Sequence, residues 1–118
     1  MKNHGFTTRL GFALTGLQAA WRHEKSFRTQ CWCALAALLL LLLLRPALLW
    51  WALVGIMVML VLAAELINTA LEHLADHLHP EQHPMIKLVK DCAAAAVLLL
   101  SLAALWLVLF MLLDHFQQ

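Results

Sequence analysis

Charge is scarce in this chain. Only 13% of its 118 residues are Asp, Glu, Lys or Arg, against 64% apolar, and leucine-rich blocks of such length are too long for the core of a soluble domain. A net charge of +1 gives no argument for a nucleic-acid partner. With only three cysteines there is no disulfide framework. Cys31 and Cys33 are two apart on an expected helix, about 200° around its axis, so they face opposite ways and cannot easily share a metal; all three cysteines are expected to be buried small residues. The start, "MKNHGFTTRL", lacks the cationic, apolar and small-residue regions of a signal peptide, so the segment is expected to stay on the protein. No glycine-rich loop and no G-x-x-x-x-G-K-[ST] motif is present, which removes the commonest phosphate cradle.

What is abundant is leucine and alanine in three runs, over residues 29–44, 47–64 and 92–113. At ~1.5 Å per residue each approaches the ~30 Å of a hydrocarbon core. The expected fold is an all-α membrane protein, one domain over 1–118. It has transmembrane helices over about 29–44, 47–77 and 86–113, preceded by an amphipathic helix over about 5–28. In that first helix Phe6, Leu10, Leu14, Leu17 and Trp21 form an apolar stripe beside Arg9, Gln18, Arg22 and Lys25, which suits the membrane interface. Arg45-Pro46 breaks the first run from the second as a tight hairpin, with Trp50 and Trp51 at the level of the aromatic belt. The stretch "LHPEQHPM" reads as a second turn, held by Pro80 and Pro84. The small residues from Cys92 to Ala96 would let a neighbouring helix approach closely.

Five of the eight Lys and Arg precede the first span, Arg45 alone lies in the hairpin, and Lys87 and Lys90 precede the third. The positive-inside rule then predicts a cytoplasmic N-terminus and 65–91 segment, with the C-terminus outside. Six of the seven acids fall on the same cytoplasmic side.

Those acids are patterned. Glu65, Asn68, Thr69, Glu72 and Asp76 recur at spacings of three and four, which places them on one helix face. Lys87, Lys90 and Asp91 answer at the same depth on the next helix, and Glu24 adds a carboxylate from the surface helix. An ionised carboxylate near hydrocarbon costs ~3 kcal/mol or more, so it is expected to meet a cation, a metal or water. One reading is purely structural: Glu65, Glu72 and Asp76 pair with Lys87, Lys90 and Arg28. Another is that paired glutamates beside a carboxamide hold Mg²⁺, a hard ion that keeps several waters and is often shared with substrate phosphates, which the lysines would then serve. A third uses His73 and His77, four apart, as a chelate for zinc or nickel in a non-catalytic metal-binding membrane protein, with His79 and His83 nearby. A fourth makes the chain a scaffold that associates through its alanine-rich third span.

The stretch "ELINTALEHLAD" resembles the E-x-x-N-[ST]-A-x-E signature of the prokaryotic diacylglycerol kinase and undecaprenol kinase family. The segments "GLQAAWRHEKSFR" and "HPMIKLVKDCAAAAVLL" extend the resemblance in the family's order and spacing, over nearly the whole chain. It implies a homotrimer in the bacterial inner membrane that transfers the γ-phosphoryl group of MgATP to a lipid hydroxyl at the cytoplasmic face. By that resemblance Glu65 is the general base and Glu24 and Glu72 are the metal ligands. Asn68, Lys90 and Asp91 hold the nucleotide and its phosphates, with Glu81, Gln82 and His83 near it and Arg9 a further contact. The expected acceptor is diacylglycerol, with undecaprenol as the alternative.

The chain also departs from the family pattern. Gln30 stands where many diacylglycerol-specific members carry an acid, Ala94 where they carry serine, and Ala75 where valine or aspartate is usual. The stretch around Arg9 is about two residues shorter than in the diacylglycerol branch. These differences bear on the lipid, not on the base or metal positions.

Overall fold

A computed structural model describes residues 3–118, and every regular element in it is a helix. Helix α1 spans Phe6–His23, α2 Lys25–Leu44, α3 Leu48–Leu78 and α4 Pro84–Gln117. The last three are each long and apolar enough to cross a membrane. α4, with 34 residues, extends roughly 50 Å at ~1.5 Å per residue, longer than the ~30 Å hydrocarbon layer, so part of it must project into water.

The break between α1 and α2 falls at Glu24, where the sequence pattern placed the junction near residue 28. Glu24 is extended (φ −116°, ψ 107°), and the chain resumes as helix at Lys25. The reason lies in Arg28. Its Nη1 donates to the carbonyl oxygens of Trp21 at 2.7 Å and Arg22 at 3.1 Å, groups at the end of α1 that lack helical partners. Arg28 therefore sits in the first turn of α2 and caps the helix before it.

The hairpin after α2 is set by Arg45, a residue in the left-handed region (φ 47°, ψ 57°), followed by Pro46, which cannot continue a helix. At the opposite end of the bundle, α4 starts at Pro84, whose missing N–H is no loss in a first turn. His83 caps it: Nδ1 accepts from the Met85 N–H at 3.1 Å.

α3 packs mainly on α4, with α2 against α3 and α1 touching both α2 and α3. The densest packing lies toward the hairpin end, where Leu41, Val54 and Met111 are buried beside Trp50 and Trp51. There the Trp50 Nε1–H donates to Asp114 Oδ2 at 3.0 Å, joining the start of α3 to the end of α4. Most other large apolar side chains face outward, among them Leu43, Leu48, Met59 and Trp106. Three apolar helices in one chain enclose too little interior to bury them. The cysteines follow the same rule against expectation: Cys33 and Cys92 are exposed and Cys31 is half-buried.

Candidate active site

The polar face of α3 descends from the interior to the surface. Glu65 is only 5% exposed, Asn68, Thr69 and Glu72 are half-buried, and Asp76 is exposed. Burying an ionisable carboxylate is costly unless partners surround it. Around Glu65 the relieving group is the Gln30 carboxamide, while the like charges of Glu72 and Glu24, close enough to act on it, add to the cost and call for a cation.

Two features of this group suit a hard cation. Asn68 Nδ2 donates to Glu72 Oε1 at 3.3 Å, which turns Asn68 Oδ1 inward, buried and without a hydrogen-bond partner among the described residues. Orphaned buried oxygens are rare enough to require an explanation. A donor set made of Glu24, Glu72 and the Asn68 oxygen is all oxygen, the preference of Mg²⁺, and two carboxylates leave room for the waters and phosphates that ion keeps.

Glu24 reaches this region because the α1–α2 break sets it against α3. Its Oε1 lies 2.8 Å from His73 Nε2. Thus His73, considered above as half of a chelate with His77, is occupied as a carboxylate partner, and the His79 ring packs edge-on against His83 at 5.2 Å. Among the described residues no group of three or more His, Cys, Asp or Glu side chains is placed to hold a metal, so the structure lends the histidine site no support.

The structural pairing expected for the lysines is met in part. Lys90 on α4 pairs with Asp76 on α3, while Lys87 turns to Asp91 one turn on, at 2.6 Å, an exposed pair of the kind that adds little stability. Arg28, as described, takes backbone carbonyls. Of the expected nucleotide residues, Lys90, Glu81, Gln82 and His83 line a cleft of about 530 Å³ with Asp76 and Lys87, whereas Asn68 and Asp91 are not in its lining. Nor does Arg9 line it. It is exposed on α1.

Comparison with known proteins bears on this arrangement. The family model described as prokaryotic diacylglycerol kinase matches residues 11–112, which takes in Glu24, the α3 polar face and the cleft. The chain belongs to that family. Within the prokaryotic diacylglycerol kinase family, it is similar to the diacylglycerol kinase of Escherichia coli (strain K12), 32% identical over 115 residues that make up 95% of this chain and 94% of that protein. It is also similar to the diacylglycerol kinase of Helicobacter pylori (strain ATCC 700392 / 26695), 36% identical over 90 residues, 76% of this chain and 70% of that protein. The undecaprenol kinase of Bacillus subtilis (strain 168) is 32% identical over 82 residues, 70% of this chain and 67% of that protein. As a member of this bacterial family with three apolar helices, the chain is a multi-pass membrane lipid kinase.

Two partnerships in this lipid kinase escaped the sequence reading. Nothing in the spacing joins His73 to Glu24, because that contact depends on where α1 stops. The pair formed by Gln30 and Ser101 had a partial signal: Ser101 is an isolated polar residue in an apolar run, and such residues seek a polar partner within a bundle.

Proposed function

We propose that this lipid kinase transfers the γ-phosphoryl group of MgATP to the hydroxyl of diacylglycerol, giving phosphatidic acid. Glu65 is the general base: the hydroxyl proton passes to its carboxylate as the lipid oxygen bonds to the γ-phosphorus and the bond to the ADP oxygen breaks. The observation that carries this reading is the burial of Glu65 at the inner end of a polar helix face, where a lipid hydroxyl and a water-borne phosphate can meet. Phosphoryl transfer needs mainly positioning and charge neutralisation. Glu24 and Glu72, with the Asn68 oxygen, would hold Mg²⁺, which supplies that neutralisation when bound. Lys90, Asp91, Glu81, Gln82 and His83 bind the nucleotide and its phosphates, and Arg9 is an outlying contact.

The catalytic unit is the single domain over 1–118, working as a homotrimer in the bacterial inner membrane. Its amphipathic helix α1 lies in the cytoplasmic leaflet, its N-terminus is inside and its C-terminus outside. The alternative acceptor is undecaprenol, favoured by the similarity to the kinase of that name. Purified protein in mixed micelles, given MgATP with diacylglycerol or undecaprenol in parallel, tests the reading. Transfer to diacylglycerol, strongly reduced in Glu65→Gln, is expected; transfer to undecaprenol alone would change the substrate, and undiminished transfer by Glu65→Gln would overturn the base.

A further inference from the structure

Glu24 is the one residue between α1 and α2, and its backbone is fixed from both sides. Its N–H donates to the Ala20 carbonyl at 2.9 Å, and its own carbonyl accepts from the Arg28 N–H at 3.2 Å. Neither bond fixes the side chain, and that task falls to α3. His73 Nε2 lies 2.8 Å from Glu24 Oε1, and among the described residues His73 is the only side chain joined to the Glu24 carboxylate by a hydrogen bond or an ion pair. Both residues line a cavity of about 570 Å³ between α1 and α3, whose other polar side chains are Thr69 and His23 in a wall of alanine, glycine and leucine.

An ionised carboxylate only accepts, so this bond has a direction and requires a proton on His73 Nε2. It engages Oε1 and leaves Oε2 for a ligand. The Glu24 side chain is 23% exposed against 66% for His73, so the carboxylate is the more sheltered of the two. His73 directly follows Glu72, about 100° further round α3, which sets a carboxylate held on His73 at the same helical turn as the Glu72 carboxylate. A free glutamate loses rotamer freedom when it takes up an ion, and a glutamate already held in place has lost it beforehand. Carboxylates that ligate metals are for this reason themselves hydrogen-bonded, and loss of such a partner costs roughly tenfold to a hundredfold in metal affinity.

We propose that His73 is a positioning residue whose Nε2–H holds Oε1 of Glu24 and leaves Oε2 for the divalent cation shared with Glu72 and Asn68. This rests on Glu24 and Glu72 being the metal ligands. Loss of the imidazole frees the Glu24 side chain and weakens cation binding roughly tenfold to a hundredfold. The rate at saturating Mg²⁺ stays close to that of the parent chain, because the Glu24 carboxylate is fixed equally well once it ligates the cation.

The test uses the full chain in mixed micelles at one pH. Mn²⁺ is the probe, titrated in the presence of a non-hydrolysable ATP analogue with the free ion counted by electron paramagnetic resonance, so this readout needs no turnover. His73→Ala is expected to raise the Kd for Mn²⁺ by roughly tenfold or more. His73→Gln, which keeps an N–H donor at similar reach, recovers most of the affinity. In the transfer assay His73→Ala raises the Mg²⁺ concentration for half-maximal rate and leaves kcat at saturating Mg²⁺ near the parent value. An unchanged Kd in His73→Ala would overturn the proposal, as would a lower one, which would make His73 a competitor of the cation. Equal losses in His73→Ala and His73→Gln, or a fall in rate that saturating Mg²⁺ does not restore, would reduce His73 to a structural contact. Glu24→Gln, measured alongside, separates the causes. If it weakens Mn²⁺ while His73→Ala does not, only the positioning role fails; if it binds Mn²⁺ like the parent, the metal assignment of Glu24 fails and takes the positioning role with it.

Discussion

Glu65, at 5% exposure, is the most buried charged side chain described in this lipid kinase, and its burial separates it from Glu72, about two helical turns nearer to water. The difference assigns different tasks. A base must be shielded and aimed; a metal ligand must be reachable by a hydrated ion and by phosphates. Glu72→Gln is therefore expected to lower transfer by about a hundredfold and to raise the Mg²⁺ concentration needed for half-maximal rate, while Glu65→Gln, with a loss of ~10²–10⁴-fold, leaves that concentration unchanged. A Mg²⁺ titration of the residual activity, with manganese as an alternative ion, checks the distinction; equal Mg²⁺ dependence in both variants would refute it. The proposed roles of these residues rest on the spacing and the family resemblance. Their partners were not all legible there, because a hydrogen bond such as Asn68 to Glu72 is consistent with helix spacing, whereas Glu24 to His73 joins residues 49 apart.

At the scale of the element, the corner between α1 and α2 is the least predictable feature and the one on which Glu24 depends. Arg28 holds it with a charged donor to two carbonyls of the preceding helix end. Arg28→Ala should cost about 1.5–3 kcal/mol of stability, the range for hydrogen bonds from charged groups, and lower activity by loosening Glu24. Unfolding in mixed micelles followed by circular dichroism, with transfer measured on the same samples, gives both numbers; unaltered stability would mean that the corner is held by packing instead. The hairpin at Arg45-Pro46 and the turn between Pro80 and Pro84 were readable in advance, since proline acts locally on the backbone. The α1–α2 corner contains no proline or glycine and is set by a side chain, so sequence pattern extends one helix through it.

At the scale of the whole molecule, the outward-facing leucines and tryptophans leave the bundle an apolar exterior. In water this would be a liability; in a bilayer it is the surface that lipid or a second subunit covers. The charge distribution predicts which end faces the cytoplasm. With the native cysteines replaced by alanine, a single cysteine at His4→Cys should react with an impermeant maleimide only in inside-out vesicles, and one at Gln118→Cys only in right-side-out vesicles. The reverse pattern would put the cleft of Glu81, Gln82 and His83 on the side away from ATP and would remove the proposed mechanism.

The sequence by itself determined the class of protein, the three apolar helices, the two proline turns and the polar face of α3. Each depends on residues within a few turns of one another, through hydropathy, helical period or backbone geometry. Only the tertiary structure decided that Glu24 meets His73, that Lys90 meets Asp76 and that Gln30 meets Ser101. Those contacts join different helices, and helices whose surfaces are nearly uniform in leucine and alanine carry little in their pattern to say how they rotate and slide against each other. The rotation is settled by shape and by the few polar groups that must find partners away from water.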